Sequence, residues 1–186
     1  MGRLIYSMIC STDGYVADEE GRFDDWARPD EQVLEAINQD MSEVGTYLYG
    51  RRMYEMMTVW ETDPDIAADS PESEVFAEDW QSKEKVVFST TLDKVITTRT
   101  RLEREFVPET VRAIKDATDK DLTVDGPTLA ADALRHGLVD EVHMVVCPIL
   151  IGGGLRMFPD TRIPLRLLHE QGFDSGMVQL KYAVEN

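Results

Sequence analysis

Three times along this chain a short apolar run stops at a tight polar turn where a helix can begin. Thr46-Tyr47-Leu48-Tyr49 runs into Gly50-Arg51-Arg52-Met53-Tyr54-Glu55. Lys85-Val86-Val87-Phe88 runs into Ser89-Thr90-Thr91, and Leu122-Thr123-Val124 into Asp125-Gly126-Pro127-Thr128-Leu129. A strand leading straight into a helix is the repeating unit of an α/β sheet, because parallel strands need a crossover between them. The same design sets helix N-termini at the carboxyl ends of strands. There, unpaired N–H groups and a positive dipole end hold anions, and open α/β sheets bind their ligands.

The rest of the chain fits that frame. Leu4 to Cys10 reads as a buried strand ended by the turn formers Ser11-Thr12-Asp13-Gly14. A loop runs on to about Pro29. Pro29-Asp30-Glu31 starts a helix in which Val33, Leu34, Ile37 and Met41 recur at helical spacing. Residues 61–84 hold nine acidic residues and one lysine, and read as a solvated excursion with a short helix near Val75 to Trp80. Val95 to Thr98 is expected as a fourth strand. Helices are expected over Pro108 to Ala117 and Thr128 to His136, the second closed by Gly137. Val139 to Cys147, Leu165 to His169 and Met177 to Val184 complete the strands, with a loop from Ile149 to Phe158 between the first two of these. The order predicts one α/β domain over residues 1–186: a mainly parallel sheet with helices on both faces and an antiparallel edge.

Composition limits the partners. The chain has 36 acidic and 19 basic residues, a formal net charge of −17. Such a field repels nucleic acid and anionic membranes. It leaves room for an anionic cofactor only where Arg, Lys or backbone N–H groups reverse it locally. Cys10 and Cys147 sit in apolar runs outside any C-x-x-C pair, and the three histidines are scattered, so neither a disulfide framework nor a metal site is expected. The N-terminus lacks the apolar core of a signal peptide and no stretch of 18 apolar residues occurs, so a cytoplasmic protein is expected.

At the first junction, Arg51 and Arg52 put two cations at a helix start, where the dipole disfavours them by several tenths of a kcal/mol. A bound anion would remove that penalty; a surface pair balancing an acidic chain is the equal alternative. Ser89, Thr90 and Thr91 offer hydroxyls to a phosphate, or simply cap a turn. Gly126 permits close approach of a ligand, Pro127 suits a first helical turn and Thr128 can bond an anion, while Asp125 would repel phosphate if it pointed inward. Gly152-Gly153-Gly154 reads as a flexible bend, since no phosphate-loop motif surrounds it.

Taken in order, these segments resemble the dihydrofolate-reductase-like superfamily. The nearer likeness is to stand-alone proteins similar to the C-terminal reductase domain of the bifunctional riboflavin-biosynthesis deaminase-reductase. The matching pieces are Ser11-Thr12-Asp13-Gly14-Tyr15-Val16-Ala17, Gly50 to Glu55 with Trp60, Val86 to Leu92, Gly137 to Val142, and Pro148 to Gly154 with Phe158. The resemblance implies a sheet of about eight strands and NADPH as cofactor. Gly50, Arg51 and Arg52 would then sit at its phosphate end, and Ser89 and Thr90 would face its 2′-phosphate. Gly126, Pro127, Thr128 and Leu129 would border the pyrophosphate, and Ile9, Tyr15, Val16 and Ala17 the nicotinamide. Relatives carry paired glycines where this chain has Asp125-Gly126. Asp30 lies roughly where dihydrofolate reductases place a substrate carboxylate, so it is the candidate catalytic residue, and also an ordinary helix-start acid.

The implied activity is hydride transfer from NADPH to a small pterin- or pyrimidine-like heterocycle. Reduction of 5-amino-6-(5-phosphoribosylamino)uracil is the narrower alternative, with Arg22, Arg28 and Arg156 as candidate cations for its phosphate. A nucleotide-binding protein without catalysis is the third. Relatives often form homodimers, for which the last strands and Met177 offer apolar contacts.

Overall fold

Residues alternate between two faces along each strand, and on the central strands both faces are covered. The computed structural model describes residues 1–185. In chain order its elements are β1 (Leu4–Ser11), β2 (Tyr15–Ala17), α1 (Glu31–Met41), β3 (Val44–Gly50), α2 (Arg51–Met57), α3 (Val59–Thr62), α4 (Pro64–Ala67) and α5 (Pro71–Ser82). Then follow β4 (Glu84–Phe88), β5 (Thr100–Glu103), α6 (Pro108–Asp116), β6 (Asp121–Asp125), α7 (Pro127–Arg135), β7 (Glu141–Cys147), β8 (Leu155–Arg156), β9 (Leu165–Gly172) and β10 (Val178–Val184). Eight strands form one sheet in the order β5-β4-β3-β6-β1-β7-β10-β9. All its pairs are parallel except those of β10, which runs antiparallel to both β7 and β9. This is the expected architecture. The fold is that of the dihydrofolate-reductase-like class, with the helices split between the faces.

On one face, Leu4, Tyr6, Leu48, Val86, Leu122 and Val124 are buried under α6 and α7, which contribute Val111, Leu129, Ala130, Ala133 and Leu134. On the other, Tyr47, Tyr49 and Val87 pack against Tyr54 of α2 and Phe76 and Trp80 of α5. Val33 of α1 meets Val145 and Cys147 farther along the same face. Each such side chain contributes roughly 1.5–3 kcal/mol when fully buried. The second face therefore carries two separate clusters, and the space between them matters for function.

Two expectations about the acidic half needed correction. Residues 61–84 are not a solvated excursion. Ser70 caps α5 by accepting from Ser73 N at 3.1 Å, and Pro71 fills its first position. Phe76, Ala77 and Trp80 then point inward, while Glu74 and Glu78 are exposed. Trp80 is fully buried, donates to Tyr49 Oη at 2.9 Å and lies under Lys85 Nζ, 4.2 Å from the ring centroid. The helix expected near Val75 to Trp80 is present, but it is longer, running Pro71–Ser82 as an amphipathic element.

Val95 to Thr98 is likewise not a strand. Tyr54 Oη accepts from Ile96 N at 2.8 Å and from Thr97 N at 3.2 Å, taking the donors a ladder would use. The strand forms one turn later, as β5, after Arg99 adopts a φ of 50°. The loops after β1 and β7 also join, since β2 and β8 pair as a two-stranded sheet. Gly152-Gly153-Gly154 belongs to that junction. Asp13 accepts from Ile151 N at 3.1 Å and Gly152 N at 2.7 Å, so the bend is tied to the end of β1. These bonds and the Ser11 hydroxyl hold the Asp13 carboxyl down to about 2. Met177 is buried within the chain, whereas β9 is exposed along its whole length, including Leu165, Leu167 and Leu168. No helix among the described residues is long and apolar enough to cross a membrane.

Candidate functional site

The strand order brings the three junctions side by side. β4, β3 and β6 are neighbours, with Gly50 opposite Phe88 and Tyr49 opposite Asp125. Ser89, Gly50-Arg51-Arg52 and Gly126-Pro127-Thr128 therefore share one carboxyl edge of the sheet. α2 and α7 start there on opposite faces. A β-carbon placed on Gly126 would lie 3.3 Å from Met53 Cβ, and one on Gly50 would lie 3.9 Å from Leu129 Cβ. Gly126 has a φ of 95°, which glycine adopts without strain. Gly126→Ala is expected to cost about 1–2 kcal/mol in chemical unfolding, from the backbone and the tight Met53 contact together.

Neither helix start is capped by a side chain of its own. Arg51 bridges the edge: Nε donates to Glu55 Oε1 at 2.8 Å and an Nη donates to Thr91 Oγ1 at 3.1 Å. Arg52 is exposed and forms no ion pair among the described residues. Ser89 is buried, and its Oγ accepts from Thr91 N at 3.2 Å and Leu92 N at 3.0 Å. The oxygen's lone pairs thus serve the turn, which leaves its O–H as a donor, while Thr90 and Thr91 are exposed hydroxyls. Pro127 is half-buried, Thr128 exposed and Leu129 buried at the head of α7. The edge offers uncapped N–H groups, two guanidinium groups and threonine hydroxyls, a set suited to phosphate oxygens.

Beside it, between the two clusters of the second sheet face, lies a cavity of about 390 Å³. Its walls are mostly apolar and rich in methionine, with Met8, Met41, Met53, Met56, Met57 and Met144. Ile9 and Val16 line it; Tyr15 and Ala17 do not. Ala17 is buried behind the loop, and the Tyr15 ring lies 5.7 Å from the guanidinium carbon of Arg156.

Asp125 does not point at the phosphate edge. As an alternating residue with Thr123, its side chain lies on the face of Tyr47 and Tyr49 and lines the cavity. It is buried, and desolvation pushes its carboxyl up from 3.8 to about 7, against the pull of a 2.6 Å bond from Thr123 Oγ1 to Oδ2. Tyr47 Oη and His143 Nδ1, also in the cavity wall, are buried without a hydrogen-bond partner. His143 Nε2 sits 2.9 Å from Glu141 Oε2, and Nδ1 is 3.8 Å from Asp40 Oδ2, beyond hydrogen-bond reach. Burial holds the imidazole below its ordinary pKa. Asp40 itself is paired with Lys181 and accepts from Gln179 Nε2 at 3.1 Å.

Asp30 lies elsewhere. It caps α1, its Oδ1 accepting from Val33 N at 2.9 Å, and lines an open outer groove rather than the cavity. The helix-start reading accounts for it. Sequence reasoning missed Tyr47 and His143, and did not place Asp125 in the cavity. Alternation along β6 was the available clue, since Thr123 and Asp125 share a face.

The chain matches the RibD C-terminal domain family over residues 3–179. It is 29% identical to YyaP, an uncharacterized protein of Bacillus subtilis, over 97% of this chain and 94% of that one. Among solved structures it is similar to a putative riboflavin biosynthesis protein from Shewanella sp. PV-4, with a TM-score of 0.76 at 21% identity and full coverage of both chains. It is also similar to dihydrofolate reductase from Enterococcus faecalis complexed with NADP(H), with a TM-score of 0.65 at 12% identity, covering all of this chain and 98% of that one. A deaminase/reductase from Thermotoga maritima gives 0.66 at 15% identity, but this chain spans only 57% of it. The match covers nearly the whole length, and the chain belongs to the RibD C-terminal domain family.

Proposed function

We propose that this protein is an NADPH-dependent reductase acting on a small heterocycle. The observation that carries the reading is the meeting of a phosphate-suited sheet edge with a buried, mostly apolar cavity at the ends of the same strands. The E. faecalis relative was solved with NADP(H), which supports the cofactor class. NADPH supplies a hydride. Arg51, Arg52, Ser89, Thr90 and the start of α7 at Gly126 to Leu129 would hold its phosphates, and Ile9 and Val16 would border its nicotinamide. The methionine walls exclude water and adapt to a flat ring. Burial raises the Asp125 carboxyl to about 7, and its Oδ1 is not engaged by Thr123.

Calorimetry with NADPH and NADH tests this directly. NADPH is expected to bind, and NADH about tenfold more weakly, because the missing 2′-phosphate forfeits charge-assisted hydrogen bonds. No detectable NADPH binding would end the reading. The same reading extends to a homodimer through the exposed β9 surface, which sedimentation velocity would reveal as a species of twice the chain mass.

A further inference from the structure

The cavity has no cation. No Arg or Lys is among the described residues that line it, and its ionisable groups are Asp40, Asp125, His143 and two tyrosines, Tyr47 and Tyr49. Lys181, half-buried on β10, is already paired with Asp40. The way out is no better. The outer groove, which shares Pro29, Leu34 and Trp60 with the cavity, is lined by Asp30, Glu31, Asp65, Asp69 and Asp174 against Arg28 alone. Arg28 is paired with Asp69 at 3.2 Å. The other candidate cations are no more available: Arg22 pairs with Asp18 and Glu20, and Arg156 sits over Tyr15.

What the cavity does present is a polar row. Ser7 lies opposite His143 across β1 and β7, and one step past the Tyr6–Val124 pair Ser7 falls beside Asp125. Asp125, Ser7 and His143 thus occupy neighbouring positions on three adjacent strands, spanning roughly 10 Å. All three line the cavity. The unpartnered Nδ1 of His143 and Oη of Tyr47 stand in the same wall. Buried polar atoms without partners are costly unless a ligand satisfies them. Around the row the surface is apolar and methionine-rich, which suits the faces of a planar ring.

We infer that this cavity takes a phosphate-free, uncharged planar heterocycle whose polar edge lies along Asp125, Ser7 and His143. The inference rests on the reductase reading only in calling that occupant the substrate. It separates this chain from any enzyme whose substrate carries a phosphoribosyl group. Electrostatics sets the exclusion: a phosphate would meet no cation in the cavity lining and five carboxylates outside, with one paired arginine to offset them.

The test uses two probe pairs, neopterin with its 3′-phosphate and 6-ribosylaminouracil with its 5′-phosphate. Each is titrated calorimetrically into the cofactor-free and the NADP⁺-loaded protein. In at least one pair the phosphate-free member is expected to bind about tenfold more tightly. Leu34→Arg, which places a cation where cavity and groove meet, is expected to narrow that preference at least about fivefold. Asp125→Leu is expected to weaken the phosphate-free member about tenfold without lowering the unfolding midpoint, which separates lost recognition from lost folding. Failure of the phosphate-free member to bind more tightly than its phosphorylated partner in either pair overturns the inference. So does binding of no member of either pair, or a preference unmoved by both variants. Failure of NADP⁺ to bind while a phosphate-free probe still does would remove the reductase reading and leave the cavity assignment standing.

Discussion

Replacing Asp125 with Asn is expected to stabilise the fold at pH 8 by on the order of 2 kcal/mol, a gain that fades as pH falls toward 4. The folded chain holds this carboxyl at about 7 because burial removes the water that would solvate its charge. The unfolded chain releases the proton near 3.8. Between those values the folded state binds more protons than the unfolded one, so stability falls as pH rises, and above about 7 the full penalty is present. Below 3.8 both states are protonated and the penalty is absent. The gap from 3.8 to about 7, at about 1.4 kcal/mol per pH unit, bounds the gain at roughly 4 kcal/mol. Asn keeps an oxygen for the Thr123 hydroxyl but carries no charge at any pH. Urea unfolding at pH 8 and pH 5 checks this. A loss of stability at pH 8 would mean that the carboxylate is compensated in the fold. A carboxyl kept at such a cost marks a functional position.

Replacing Arg51 and Arg52 together with Ala is expected to weaken NADPH binding about 100-fold while leaving thermal stability nearly unchanged. Hydrogen bonds to charged groups contribute about 1.5–3 kcal/mol each, and every 1.4 kcal/mol is about tenfold in affinity. Stability should hold because two effects oppose. Removing cations from the start of α2 relieves the dipole penalty, and removing Arg51 loses its exposed pair with Glu55. Calorimetry paired with a thermal melt reads both. A large drop in melting temperature with affinity preserved would make the arginines structural.

The alternation of strands and helices was legible from apolar runs and turn residues, and so was the parallel sheet with its antiparallel edge. The three junctions could be read as separate motifs, but nothing in the sequence shows that β6 inserts between β3 and β1, which is what sets them side by side. α5 was under-read because nine acidic residues masked a stripe of Phe76, Ala77 and Trp80 at helical spacing. Val95 to Thr98 looked like a strand by composition, and the competing hydroxyl of Tyr54 lies 42 residues away from Ile96 in sequence. The cavity was the least legible part. Its methionines come from four separate elements, and its unpartnered atoms exist only once those elements pack.

The central claim is that one edge of the sheet holds the cofactor's phosphates and the adjoining cavity receives its reactive ring. A crystal structure with NADP⁺ tests it most directly. The account expects the pyrophosphate between Gly50-Arg51-Arg52 and Gly126-Pro127-Thr128, the 2′-phosphate at Ser89 to Thr91, and the nicotinamide beside Ile9 and Val16, facing Asp125. Phosphates bound away from all three segments, or a nicotinamide outside the methionine-lined cavity, would contradict it.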